Sequence, residues 1–108
     1  MTIFHDADVP ANKSAERFSG QLAALAHPAR LEIVRHLGRS PACCCGDVVR
    51  RIGLAQSTTS QHLKVLVEAG LVTFSPDRQR SRYQLDRQAL SALSASLAAL
   101  VASCGDPD

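Results

Sequence analysis

The chain has 108 residues, of which 45% are hydrophobic, and it carries a formal net charge of +2. This length fits one domain. The sequence shows neither a secretory signal peptide nor the roughly 20 consecutive apolar residues of a membrane span, so we expect a cytoplasmic protein. Acidic residues at the two ends, Asp6, Asp8, Asp106 and Asp108, leave a body with 12 basic and 6 acidic side chains. Acidic ends on a basic body favour a nucleic-acid-binding domain.

The first 40 residues predict an arm and two helices. Pro10 disfavours a helix through residues 1–13, so we expect a flexible N-terminal arm followed by one domain over 14–104. A first helix is followed by a second that begins at Pro28, because proline suits the first helical position, and ends at Gly38. The inner faces of these helices are expected to be formed by Phe18, Leu22, Leu25, Leu31, Val34 and Leu37.

Three consecutive cysteines, Cys43, Cys44 and Cys45, precede a short helix that ends at Gly53. At an irregular helix start two or three sulfurs can converge, and the positive end of the helix favours thiolates. Three soft sulfurs suit trivalent arsenic or antimony better than a tetrahedral zinc site, whose usual Cys spacing is absent. Cys104 is a possible further ligand, contributed by a partner chain. The alternative is a set of buried, apolar cysteines.

Residues 54–72 have the pattern of a helix with a polar front and an apolar back. Ser57 is the expected N-cap, Gly70 the expected end, and Leu63, Leu66 and Val67 share the inner face. A helix that enters the major groove needs polar side chains in its first turns. Gln56, Thr58, Thr59, Gln61, His62 and Lys64 are left for the outer face. The expected DNA-contacting residues of this helix are Gln56, Ser57, Thr58, Thr59, Ser60, Gln61, His62 and Lys64. An ordinary capped surface helix is the alternative.

Within this set, Gln61 is the best candidate for a bidentate contact with a base. Lys64 and the hydroxyl groups are better suited to phosphates, which fix the register of a protein on DNA without reading its sequence.

Alternating apolar residues after Gly70 predict two strands joined by a turn that begins at Pro76. The tip of this hairpin is basic, with Arg78, Arg80 and Arg82. A basic hairpin beside a polar-fronted helix is similar to the wing of a winged helix-turn-helix, which binds phosphates or the minor groove. A solvated basic turn is the alternative.

The last predicted helix, over about 87–103, has almost no charge after Arg87. Apolar residues recur along it every three or four positions, which favours a helix–helix dimer interface over an exposed surface. Packing within its own domain is the alternative. The recurring residues are Leu90, Leu93, Leu97, Leu100 and Cys104.

Three segments together resemble the ArsR/SmtB family of metal-sensing repressors: Ala26–Val34, Cys43–Val48 and Leu54–Val72. The resemblance implies a homodimeric winged helix-turn-helix, mainly α with a β-hairpin wing, in the order α-α-α-α-β-β-α. It also implies repression from an operator palindrome and release by an inducer.

This sequence departs from the family pattern in three places. Where arsenic sensors of the family often have Cys-Val-Cys-Asp, it has Cys44-Cys45-Gly46-Asp47. Thr59 stands where an apolar residue is usual. The last helix lacks the histidine of the family's other metal site, so we expect no zinc, cobalt or nickel site there.

The leading hypothesis is therefore a dimeric repressor that leaves its double-stranded operator when arsenite, antimonite or another soft metal ion binds Cys43, Cys44 and Cys45, with Cys104 as a possible addition. It needs no cofactor to bind DNA. A repressor that senses oxidants or persulfides through its thiols is the alternative. We expect no enzyme, because no general base or substrate-binding loop accompanies the cysteines.

Overall fold

The computed structural model describes residues 13–40, 42–76 and 81–105. Within them the chain is mainly helical with a small antiparallel sheet, which confirms the predicted fold class. Of the expected arm over residues 1–13, residues 1–12 lie outside the described residues, and Lys13 already belongs to the first helix. The elements are α1 (Lys13–Leu25), α2 (Pro28–Arg39), β1 (Cys43–Cys44), α3 (Cys45–Ile52), α4 (Gln56–Glu68), β2 (Val72–Ser75), β3 (Arg82–Leu85) and α5 (Arg87–Cys104).

The hydrophobic core is shared by all five of these helices and the sheet. Most of the expected inner-face residues of α1 and α2 are confirmed: Leu37 is buried, and Phe18, Leu25 and Val34 pack against the core. The expectation is wrong for Leu22 and Leu31, since they are 37% and 41% exposed. On α1 the buried residues are Gln21 and Ala24. The core residues are Ala24, Ile33, Leu37, Cys43, Val48, Leu63, Leu66, Leu71, Val72, Leu85 and Leu93.

Gln21 is a polar residue on the packed face of α1, which apolar spacing does not predict. Its Nε2 donates a hydrogen bond to the carbonyl oxygen of Ala69 at 3.1 Å. A buried polar group is tolerated when it is hydrogen-bonded. This one satisfies a carbonyl at the C-terminal end of α4, so a polar residue belongs to the packed face.

The helix boundaries follow local rules in most places. Pro28 is at the start of α2 as expected, and His27 is its N-cap, with Nδ1 accepting from the Ala29 N–H at 3.0 Å. Gly53 and Gly70, which follow α3 and α4, both have φ of +80°, a conformation that favours glycine.

The predicted N-cap of α4 is wrong. Ser57 lies inside the helix, because α4 begins at Gln56 with Ala55 as its N-cap. The Ala55 carbonyl accepts the first helical hydrogen bond, from the Thr59 N–H at 2.9 Å. An N-cap is defined by this bond, and Ala55 makes it without a side-chain cap.

The sheet contains a strand that periodicity did not predict. β1 pairs with β3, Cys43 opposite Tyr83 and Cys44 opposite Arg82, and the strand order is β1-β3-β2. Two residues are too few to show a period of two. Because successive side chains of a strand point to opposite faces, Cys43 and Cys44 are directed apart.

Helix α5 leaves an apolar face uncovered. Its N-cap is Asp86, whose Oδ1 accepts from the Ala89 N–H at 3.0 Å, and Leu93 packs into the core. Further along, Leu97 and Leu100 are about half exposed and Val101 is 66% exposed. None of the helices in the described part of the chain is long and apolar enough to cross a membrane.

Candidate functional site

The outer face of α4 is polar and accessible. Apart from Glu68, its exposed residues fall in the first turns of the helix, while Leu63 and Leu66 anchor the opposite side in the core with no exposed surface. This arrangement presents donors and acceptors outward on a rigid support, as reading a base edge requires. The exposed residues are Gln56, Ser57, Thr58, Gln61 and Lys64.

Two other residues expected to contact DNA do not lie on this outer face. Thr59 is fully buried, and its hydroxyl donates to the Ala55 carbonyl oxygen at 3.0 Å. The prediction that Thr59 faces outward is wrong because positions 59, 63 and 66 share one helical face. Ser60 is half-buried and faces α3, with Oγ 3.4 Å from the Cys45 sulfur.

His62 belongs to a small basic cluster where α2 meets α4. Its ring lies 4.5 Å from the ring of His27, and its Nδ1 is 3.3 Å from Nη1 of Arg30. Burial lowers the pKa of His62, and His27 and Arg30 lower it further. The imidazole is therefore held toward its neutral form. Sequence reasoning missed Arg30, which is anchored by a 2.6 Å hydrogen bond from its Nε to the Ala24 carbonyl.

The hairpin β2–β3 is the wing that the basic turn predicted. The rings of Phe74 and Tyr83 lie opposite each other, with centroids 5.2 Å apart. Arg82 begins β3 and is exposed. Arg78 and Arg80 lie outside the described residues. Burial raises the pKa of Tyr83, and the neighbouring Cys45 raises it further.

Each sulfur of the cysteine triplet has a different neighbour. Cys43, only 4% exposed, has its Sγ 3.6 Å from Nε2 of His36. The Cys44 thiol donates to Oδ2 of Asp47 at 3.2 Å, and Cys45 contacts Ser60. Across 13–40, 42–76 and 81–105, no three His, Cys, Asp or Glu are grouped to hold a metal ion. The three sulfurs thus have separate partners in this structure, because β1 directs Cys43 and Cys44 apart, and their joint binding of an ion stays a prediction.

Asp47 organises the start of α3. Its Oδ2 also accepts from the Cys44 backbone N–H at 3.3 Å, and its Oδ1 is paired with Arg50. The hydrogen bond from the Cys44 thiol is the largest cause of the lowered pKa of Asp47, followed by the backbone bond. Asp47 therefore ties Cys44 to the first turn of this helix.

Two more residues complete the inventory of the site. Cys104 is exposed at the end of α5, where its thiol donates to the Leu100 carbonyl at 3.3 Å. His36, on α2, contacts Cys43. Only the fold brings the two together, because β1 returns beside α2; no spacing rule predicts this pair.

Comparisons with known proteins agree with this geometry. A helix-turn-helix domain family matches residues 25–73. The HTH-type transcriptional regulator YgaV of Escherichia coli is 39% identical over 84 residues, which cover 78% of this chain and 85% of YgaV. The arsenical resistance operon repressor of Staphylococcus xylosus is 33% identical over 78% of this chain and 80% of its own. The chain belongs to the ArsR/SmtB family of winged-helix transcriptional regulators.

Solved structures support the fold of this ArsR/SmtB regulator. The transcriptional repressor BigR of Xylella fastidiosa is 32% identical, with a TM-score of 0.63 over 77% of this chain and 85% of BigR. A homodimeric winged helix-turn-helix DNA-binding domain of Mycobacterium bovis shares the fold at 23% identity, with a TM-score of 0.68 over 95% of this chain and 91% of its own. The protein is thus a DNA-binding transcriptional regulator and not an enzyme.

Proposed function

We propose that this regulator is a dimeric repressor that leaves its operator when a thiophilic ligand, trivalent arsenic or antimony, binds Cys43, Cys44 and Cys45. The observation that carries this proposal is the position of the cysteines between the two DNA-facing elements. Cys45 contacts Ser60 of α4, and the strand formed by Cys43 and Cys44 pairs with the wing strand β3.

The contacts of the sulfurs supply a route from ligand to DNA. Gathering three sulfurs around one atom moves the Cys45 sulfur away from Ser60 and pulls β1 against β3. Either movement changes the position in which α4 or the wing meets DNA. An inducer shifts the equilibrium only through its higher affinity for the altered arrangement, and DNA and inducer then weaken each other's binding by the same factor.

The exposed end of α5 supports a dimer. Leu97, Leu100 and Val101 form an apolar strip that would be covered by a second copy of the helix. A two-fold dimer presents two α4 helices to the two half-sites of a palindrome. The homodimeric relative from Mycobacterium bovis has the same fold.

A gel-shift assay tests the proposal. The reduced protein is mixed with duplex DNA from upstream of its own gene, and arsenite, antimonite and other soft ions are added in turn. We expect the protein–DNA complex to give a retarded band, and arsenite or antimonite to abolish that band. A variant with Cys43, Cys44 and Cys45 all replaced by serine should bind the same DNA and ignore the ions. The matched variant Cys104→Ser tells whether the fourth cysteine contributes.

A second candidate, a repressor that senses oxidants or persulfides, is favoured by one observation. Because the sulfurs have separate partners, a reagent that attacks one thiol at a time needs no prior rearrangement of the site. Release of DNA by peroxide or polysulfide under metal-free conditions, reversed by a dithiol reductant, would favour this candidate over ligand binding.

A further inference from the structure

The histidine beside the buried cysteine of β1 has no role in the proposed function. Nε2 of His36, on α2, lies 3.6 Å from Sγ of Cys43. The two residues line one surface depression, together with Ser40, Asp47 and Arg51. The opening makes the pair accessible to a small ion although Cys43 itself is almost completely buried.

We propose that His36 and Cys43 form a two-donor site for a borderline-soft divalent cation, Zn²⁺ or Cd²⁺. One thiolate and one imidazole are the donor types that these ions take in proteins. Trivalent arsenic selects sulfur alone, and the sulfurs here point apart, so the pair as it stands suits a mixed sulfur–nitrogen centre better. Both donors are on backbone elements of the core, α2 and β1, which fixes their separation.

The other side chains in the depression act outside the coordination shell of the ion. Asp47 lines the same opening, but its carboxylate already accepts from Cys44 and pairs with Arg50. It acts as an outer partner that offsets the positive charge of Arg50, one of the two arginines that line the depression. Water fills the remaining tetrahedral positions of the ion. Two protein donors therefore make an open site rather than a closed structural one.

The position of Cys43 couples this site to DNA. Cys43 is opposite Tyr83 of the wing strand, whereas His36 is near the end of α2. An ion that draws the two donors together therefore draws β1, and with it the wing, toward α2. This coupling rests on the proposed function, but binding of the ion by His36 and Cys43 does not.

Cobalt substitution tests the site. The reduced, full-length protein is titrated with Co²⁺, whose thiolate charge-transfer band and visible bands report sulfur ligation and tetrahedral geometry, and Zn²⁺ is then added to displace it. The variants are His36→Gln and Cys43→Ser. The matched control is His27→Asn, which removes a histidine from the same region while keeping an N-cap side chain.

We expect His36→Gln to weaken Zn²⁺ affinity at least tenfold, since even outer partners of metal ligands are worth ten- to a hundredfold. Cys43→Ser should abolish the charge-transfer band, and the control should stay within about twofold of the parent. Because Cys43 is buried, circular dichroism must first show that its variant is folded; if it is not, Cys43→Ala replaces it. A shift of the His36 ring nitrogens on Zn²⁺ addition gives a second readout by NMR.

The proposal is overturned if His36→Gln binds Zn²⁺ as tightly as the parent protein, or if the His36 ring resonances do not respond to the ion. In that case arsenite can still release DNA from the parent protein, and the proposed function stands. If the site binds Zn²⁺ as expected while neither Zn²⁺ nor arsenite releases DNA, the metal site stands and the proposed function is wrong.

Discussion

Thr58 and Thr59 are adjacent on α4 but lie in opposite environments, so replacing each with alanine separates stability from DNA binding. Thr59→Ala removes a fully buried methyl group, worth about 0.8 kcal/mol, and the hydroxyl hydrogen bond to Ala55, worth about 1 kcal/mol. The better helix propensity of alanine offsets about 0.5 kcal/mol of this loss of stability. The net loss is about 1–2 kcal/mol, because the Ala55 carbonyl still accepts from the backbone N–H of residue 59.

The exposed neighbour should behave in the opposite way. Thr58→Ala should change the free energy of unfolding by no more than about 0.5 kcal/mol. If Thr58 binds a phosphate, its loss should cost about 1 kcal/mol of operator binding, or about fivefold in Kd. Thr59→Ala should leave the operator Kd within about twofold of the parent value.

Urea denaturation and fluorescence anisotropy measure these two effects. Protein concentration must be fixed in the first measurement, because the proposed dimer would contribute to apparent stability. Salt must be fixed in the second, because phosphate contacts are salt-dependent. The reasoning is refuted if the folded Thr59→Ala protein loses operator affinity with unchanged stability, or if Thr58→Ala is the destabilising variant.

Three further predictions concern the DNA face, the dimer and pH. Gln61→Ala should weaken binding to the operator by about 1–3 kcal/mol more than binding to an unrelated duplex, which a competition binding assay would measure. Lys64→Ala should weaken binding to both duplexes equally and reduce the salt dependence of binding. Leu97→Lys combined with Val101→Glu should shift the protein toward monomer in analytical ultracentrifugation, because charges replace the exposed apolar strip of α5. The lowered pKa of His62 means that the unfolded chain takes up this proton first as pH falls. Stability should therefore decline as pH drops below the ordinary histidine value of about 6.5 toward the lowered pKa, and His62→Gln should reduce that decline.

Each of these predictions has a clear contrary result. Equal losses on operator and unrelated DNA for Gln61→Ala would show that this residue does not read bases. A charged α5 that sediments as the parent protein would place the interface elsewhere. If His62→Gln and the parent protein have the same dependence of stability on pH, the surroundings of His62 do not favour its neutral form.

Local sequence signals predicted most of the architecture. Gly53 and Gly70 mark the ends of α3 and α4 because a left-handed backbone there needs glycine, and Pro28 marks the start of α2. The wing followed from alternation after Gly70. These features depend on neighbours in sequence, which is why the chain alone reveals them.

Helix phase was harder to predict. Leu31 was expected to be buried because it is apolar, and Thr59 to be exposed because it is polar. Which face of a helix is buried depends, however, on the elements that pack against it. Thr59 tolerates burial because its hydroxyl bonds to its own helix, and Gln21 does so because it reaches Ala69. A polar residue satisfied in this way is indistinguishable in sequence from one on the surface.

The arrangement of the cysteines depends on contacts distant in sequence. Cys43 and Cys44 form a strand only because β3, some forty residues later, pairs with them. That pairing directs their sulfurs apart and brings Cys43 to His36. Spacing could identify the cluster as a site of thiol chemistry, but the partner of each sulfur is set by the tertiary fold.

The central claim is that ligands at the cysteines and DNA at α4 oppose each other. The direct measurement is the Kd of the reduced protein for its upstream duplex, by fluorescence anisotropy at one salt concentration, with and without saturating arsenite. The account predicts at least a tenfold weakening for the parent protein, about 1.4 kcal/mol of coupling, and none for the Cys43, Cys44 and Cys45 triple serine variant. Equal weakening in both proteins, or no DNA binding by either, would contradict it.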